Sequence, residues 1–298
     1  MKLAVLSDIH ANYRALEAVG ADIDDWGPDV VVVAGDIVNR GPRPVDCLSY
    51  AQTRAREDGW LLVRGNHEDY VIRHASPDAP REGPLADMFR ASFWTYSKLR
   101  GDVGPLEAMP YGIEFGAALD APVDEDPERR MLRLSVLAPG AGLVRIAHAS
   151  MLHNRDCIFP DTPDDDLAEK LGTPAPTLFC VGHTHMQVLR RLNGTLVINA
   201  GAVGMPFDGD PRAGYARCEF RDGAWAGELV RLDYDRARAE CDFADTGYLV
   251  EGGPLARLQV IELREARSQL FQWASRYEKL VLEGVLSMDA SVDEFLSA

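Results

Sequence analysis

Three short, nearly unbroken apolar runs open the chain: Leu3 to Leu6, Val30 to Val33 and Trp60 to Val63. Such runs are too short for a helix and lack the alternation of a half-wet strand, so they predict β-strands buried on both faces. Between them the period changes. Asn12 to Trp26 carries Leu16, Val19 and Ile23 at spacings of three and four and stops at Gly27-Pro28, and Pro44 to Glu57 forms the next predicted helix. Strand, helix, strand, helix, strand is the order of an α/β sheet, whose ligands collect beyond the carboxyl ends of its strands. Asp8, Asp36 and Asn66 stand just past those ends.

The rhythm breaks from His74 to Gly140, a Pro- and Gly-rich stretch with a predicted helix near Leu85 to Leu99 followed by an acidic loop; we read it as an insertion that covers the site. Strand patterns then return at Leu143 to Ala147, Leu178 to Val181, Thr195 to Ile198 and Tyr215 to Phe220, with Asn193-Gly194 as a hairpin turn. These are expected to make a second sheet. From Pro254 to Leu286 one long helical pattern places Ala266, Leu270, Trp273, Tyr277 and Leu280 in alternating steps of four and three. That stripe suits packing against the rest of the chain, or against a second copy in a homodimer.

The formal net charge of -16, with acidic clusters at 22–25, 124–126 and 161–166, argues against a general nucleic-acid-binding surface. Cys47, Cys157, Cys180, Cys218 and Cys241 are odd in number and widely spaced, which fits neither a disulfide framework nor a zinc ribbon. A reducing cytoplasm is the expected location. No signal-like segment opens the chain and no run approaches the ~18 apolar residues of a membrane span, so a soluble protein is expected. Of the other two histidines, His74 is expected to face solvent, and His153, five residues after His148, is a candidate to approach substrate.

The remaining chemistry is concentrated in five motifs, each following a strand-like run: Ser7-Asp8-Ile9-His10, Gly35-Asp36, Arg64-Gly65-Asn66-His67-Glu68, Ala147-His148 and Gly182-His183-Thr184-His185. They hold five of the seven histidines. Imidazole mixed with carboxylate and amide oxygen suits Mn, Fe, Ni or Zn and disfavours an all-oxygen calcium site. A single Asp-Xaa-His would be weak evidence; five motifs in this order are specific.

In this order the set resembles the calcineurin-like metallophosphoesterase superfamily, from Leu3 to about Phe220. The resemblance implies a four-layer α/β/β/α sandwich and a metal-dependent phosphoester hydrolase. It implies that Asp8, His10 and His185 bind one metal, that Asn66, His148 and His183 bind another, and that Asp36 bridges them. Two divalent ions ~3.5 to 4 Å apart can bring a shared water to a pKa of roughly 7, so that the nucleophile is a metal-bound hydroxide. Manganese is the favoured metal. The expected division is a catalytic domain over residues 1–245, with 74–140 inserted, and a C-terminal helical extension over 246–298.

His67 is implied as proton donor or transition-state stabiliser. Arg40 lies in Gly35-Asp36-Ile37-Val38-Asn39-Arg40-Gly41-Pro42, similar to a segment of the phosphoprotein phosphatases whose arginine grips phosphate; Asn39 here replaces the aspartate of that branch. The loop Asn199-Ala200-Gly201-Ala202-Val203-Gly204 is similar to one in small bacterial and archaeal phosphodiesterases. A phosphodiesterase acting on a small or nucleotide-type ester is therefore the first expectation. A phosphomonoesterase of protein-phosphatase or dinucleoside-tetraphosphatase type is the second. A non-catalytic binding scaffold on the same fold, as in the retromer subunit, is the third.

Overall fold

The computed structural model describes residues 1–116 and 130–297. Eleven strands form two sheets among the described residues. They are β1 (Lys2–Leu6), β2 (Val30–Val33), β3 (Leu61–Leu62), β4 (Gly112–Phe115), β5 (Met131–Leu134), β6 (Val144–Ala147), β7 (Leu178–Val181), β8 (Gln187–Leu192), β9 (Thr195–Ala200), β10 (Ala213–Arg221) and β11 (Ala224–Leu232). The first sheet runs β11-β10-β1-β2-β3 and the second β5-β4-β6-β7-β9-β8. β1, β2 and β3 are parallel in one; β6, β7 and β9 are parallel in the other. Their carboxyl ends supply the motif loops.

The apolar runs fill both faces of each sheet. In β1, Leu3 and Val5 point between the sheets, where they meet Ile113, Ile146 and Ile198. Ala4 and Leu6 point the other way, onto α1 (Tyr13–Trp26) and α2 (Pro44–Asp58), which contribute Leu16, Val19, Ile23, Cys47 and Leu48. Behind the second sheet, Phe179, Val181 and Val197 bury Leu167 and Leu171 at a helix over Asp164–Lys170. The molecule is a four-layer α/β/β/α sandwich, as the sequence led us to expect. Asn12 caps α1 through Ala15 N, and Gly27 ends it in the left-handed conformation.

Four expectations need correction. Tyr215 to Phe220 does not join the second sheet: β10 lies antiparallel to β1, pairing Leu3 with Cys218, and carries β11 at the first sheet's edge. The stretch 74–140 is only partly a cover, because β4 and β5 extend the second sheet beside β6; its acidic loop at 124–126 lies outside the described residues. His74 is buried, with Nε2 2.8 Å from Ser92 Oγ, at the foot of a helix over Arg90–Lys98. The C-terminal pattern is several helices. Ala256–Glu265 ends at Ala266 (φ 51°), Ser268 caps Gln269–Trp273 through Phe271 N, and Met288–Ser297 follows. Trp273, Tyr277 and Val281 pack on Leu255, Leu258 and Val292 of the same chain. The spacing runs through the break because both sides of it face one core.

Candidate metal centre

Three of the five motifs, those at Asp8, Asp36 and His183, leave their strands in sharp turns. Asp8, His10, Ala11, Asp36, Asn39, Arg40, His183 and His185 all have φ between 47° and 69°, the left-handed region that costs a residue with a Cβ about 1–2 kcal/mol. Backbone bonds lock these turns together: Asp8 N to Gly35 O, His10 N to Asp36 O, Gly204 N to Asp8 O and Gly182 N to His148 O, all at 2.8–3.1 Å. Gly204 is required by close approach, since a Cβ there would collide with the Ile9 carbonyl. Asn199 ties its own loop to the histidine loop, its Nδ2 donating to Gly182 O and Thr184 Oγ1.

The two carboxylates are divided in the same way. Asp8 Oδ2 accepts the His183 N–H at 2.8 Å and Asp36 Oδ1 accepts the His67 N–H at 2.9 Å. Asp8 Oδ1 and Asp36 Oδ2 are buried and, among the described residues, accept no hydrogen bond. Around Asp8 Oδ1 stand His185 Nε2 at 3.2 Å and His10 Nε2 at 3.7 Å; around Asp36 Oδ2 stand His148 Nε2 at 3.3 Å and His10 Nε2 at 3.6 Å. His183 Nδ1 and Asn66 Oδ1 lie 3.2 and 3.0 Å from His148 Nε2. The structure thus brings Asp8, His10, Asp36, Asn66, His148, His183 and His185 to one place, in overlapping groups able to hold metal, with His67 close enough to join His10 and Asp36.

A cation fits this donor set. His185 Nδ1 faces Met205 O and His148 Nδ1 faces Ala34 O, so each imidazole donates there and turns Nε2 inward. In consequence His185 Nε2 meets His10 Nε2 at 3.0 Å. Two ligand atoms each ~2.1 Å from one ion at right angles would lie about 3 Å apart. Burial alone would lower His148, but Asp36 and Asp8 outweigh it and hold a proton there up to a pKa of about 10. Burial pushes His183 down to about 4, with His148 adding to the effect. A proton on one imidazole and none on its neighbour is what concentrated negative charge produces when it must be balanced locally.

Asn39 fixes His67. Its Oδ1 accepts the Arg40 N–H at 2.9 Å, so its Nδ2 faces His67 Nδ1 at 2.9 Å as a donor. His67 is therefore the neutral tautomer with its proton on Nε2, and burial, with Arg40 adding to it against the pull of Asp36, lowers its pKa to about 3. Arg40 Nη2 pairs with the wholly buried Glu262 at 2.6 Å, and its Nε has no hydrogen-bond partner among the described residues. Glu262 was missed in the sequence because nothing near it in the chain marks a site. Its Oε1 accepts Gln269 N and Leu270 N, so a C-terminal turn is held against Arg40. Glu68 also went unassigned, although it stands three residues past Gly65 at the start of a helix over Asn66–Ile72, where a capping acid belongs. It accepts N–H bonds from Asp36, Ile37, Val38 and Gly65, pinning two motif loops together.

Comparison with known proteins decides the family, because the profile for the calcineurin-like phosphoesterase superfamily domain matches residues 1–223. The chain belongs to that superfamily. It is a phosphoester hydrolase, of a metal-dependent family whose clustered His and Asp side chains it carries. This phosphoesterase is similar to the metallophosphoesterase from Sphaerobacter thermophilus, with 27% identity and a TM-score of 0.64 over 89% of this chain and 99% of that one. It is 28% identical over 255 residues to an uncharacterized protein of Methanocaldococcus jannaschii, covering 80% of this chain and 89% of the other. A hypothetical protein from Pyrococcus horikoshii OT3 shares the fold at 17% identity and a TM-score of 0.64, over 86% of this phosphoesterase and 97% of that chain. No helix of the described residues is long and apolar enough to cross a membrane.

Proposed function

We propose that the chain is a phosphodiesterase for a small or nucleotide-type diester, working with two divalent cations, manganese first among them. Asp8, His10 and His185 would hold one, Asn66, His148 and His183 the other, and Asp36, whose free Oδ2 stands between His10 and His148, both. When bound, the cations supply an activated water and neutralise the charge that develops on phosphorus. His67 donates its Nε2 proton as a hydrogen bond to a phosphoryl or ester oxygen; the hydrogen bond from Asn39 leaves it no second proton to give away. Arg40, steadied by Glu262, offers its remaining N–H groups to phosphate.

The observation that carries the diester reading is a pair of clefts that share no lining residue yet both adjoin the centre. One, of about 320 Å³, has the buried ligand candidate His148 in its wall, with His153 and Asn154 beside it. The other, of about 290 Å³, reaches it at His67 and Arg40. A diester has two organic arms to place; a monoester has one. Its test is the ratio of kcat/KM for bis(4-nitrophenyl) phosphate to that for 4-nitrophenyl phosphate, with manganese-loaded protein. We expect the diester to be favoured at least tenfold, and a faster monoester would reverse the assignment.

A further inference from the structure

The cleft beside His67 is built largely by parts of the chain outside the shared metal motifs. One wall is Tyr70 and Phe89, their rings 5.5 Å apart; the facing wall is Leu255, Leu270 and Trp273, all beyond the family-matched residues 1–223. An edge-to-face contact of 5.1 Å joins the Tyr70 ring to His67, so the aromatic wall is continuous with the centre. Gln259 lines the same cleft while buried. Its Oε1 is taken by the Tyr248 hydroxyl at 2.6 Å, and its Nε2 donates to no protein atom among the described residues. Apolar walls with a few placed polar groups, here Gln259 together with Arg40 and His67, are the make-up of a small-molecule site. Aromatic walls favour a flat ring.

We propose that this cleft is the subsite for one arm of the substrate, an aromatic alcohol with a hydrogen-bond acceptor on its ring edge, and that the C-terminal segment thereby sets specificity. The proposal rests on the phosphodiesterase reading for the identity of the substrate, but not for the binding itself. An aromatic arm fills the space between the Phe89 and Trp273 walls, its edge acceptor takes the Gln259 Nε2 proton, and its ester oxygen lies toward His67. Leaving that donor unpaired against a ring without an acceptor costs affinity, which gives the subsite selectivity between rings of one shape.

The test is calorimetric titration of the full-length, manganese-loaded protein with 6-hydroxyquinoline and with 2-naphthol, two rings of equal size of which only the first has an edge acceptor. We expect wild-type protein to bind 6-hydroxyquinoline at least fivefold more tightly than 2-naphthol. Ala274→Phe, which fills the cleft from its C-terminal wall without touching the metal residues, should weaken 6-hydroxyquinoline at least tenfold at unchanged metal content. Ala274→Leu is the smaller plug if the phenylalanine variant does not fold. No binding to wild type, equal binding of the two rings, or affinity unaffected by a folded plug would overturn the subsite. Failure of the diester reading is separately visible: protein that binds 6-hydroxyquinoline as expected but leaves bis(4-nitrophenyl) phosphate intact retains the subsite and loses the phosphodiesterase.

Discussion

Asp36 gives one oxygen to the His67 N–H and leaves the other bare between His10 and His148. Asp36→Asn keeps the shape but removes the charge, so both metals should be lost together and hydrolysis should fall at least 10³-fold, an order of magnitude suited to loss of metal-ion catalysis. Metal analysis alongside turnover checks this; two tightly held metals in the variant would remove Asp36 from the bridge. His67 makes a different prediction. Because Asn39 occupies its Nδ1 as a donor, the proposed role of His67 is to stabilise charge without surrendering a proton. His67→Ala should keep both metals and lose about 10²- to 10³-fold in kcat, the cost of one preorganised donor. The loss should be similar for an alkyl and a nitrophenyl diester; a much larger loss on the alkyl ester would show proton transfer to the leaving group.

The helix Ala256–Glu265 is tied to Arg40 through Glu262. Glu262 is wholly buried and is the acid that meets Arg40. Glu262→Gln leaves the Arg40 charge largely buried without its partner, and should lower stability in urea unfolding by about 3 kcal/mol. At the helix Arg90–Lys98 the coupling is to pH. Burial, reinforced by Arg81 and Arg73, lowers His74 to about 4, while the unfolded chain titrates near 6.5. The stability that neutral His74 contributes is therefore complete above pH 6.5 and is lost as pH falls from 6.5 toward 4. His74→Gln should flatten the fall in Tm over that window relative to wild type, read on metal-loaded protein; identical slopes would exclude His74 as a source.

The sequence made α1, α2, the parallel strands and their ligand loops legible, because apolar period and turn chemistry are local. It did not reveal β5, β8 or β11, whose residues are largely half-exposed, nor β4, four buried residues that include Gly112 and Glu114, nor that β10 crosses back to β1, because pairing is a long-range choice. Glu262 was invisible for the same reason: 222 residues separate it from Arg40. Glu68 could have been read from the capping position alone.

Across the whole molecule, one acidic, strand-end centre joins both sheets, and each bare carboxylate oxygen there is an unmet demand for positive charge. Removing the metals should therefore lower Tm by roughly 13 °C, since two sites held at ~1,000 times Kd contribute roughly 8 kcal/mol, and each kcal/mol shifts a chain of this size by about 1.6 °C. Differential scanning calorimetry before and after chelation measures it. An unchanged Tm would show that the centre is complete without cations.

The left-handed turns have a consequence beyond catalysis. They strain the backbone whether or not a cation is present, whereas only the loaded protein has the ligand bonds that offset the strain. Inside a cell, the metal-starved form would open more often and be the first taken by proteases. The amount of this enzyme would then follow the supply of its metal through turnover alone, with synthesis unchanged.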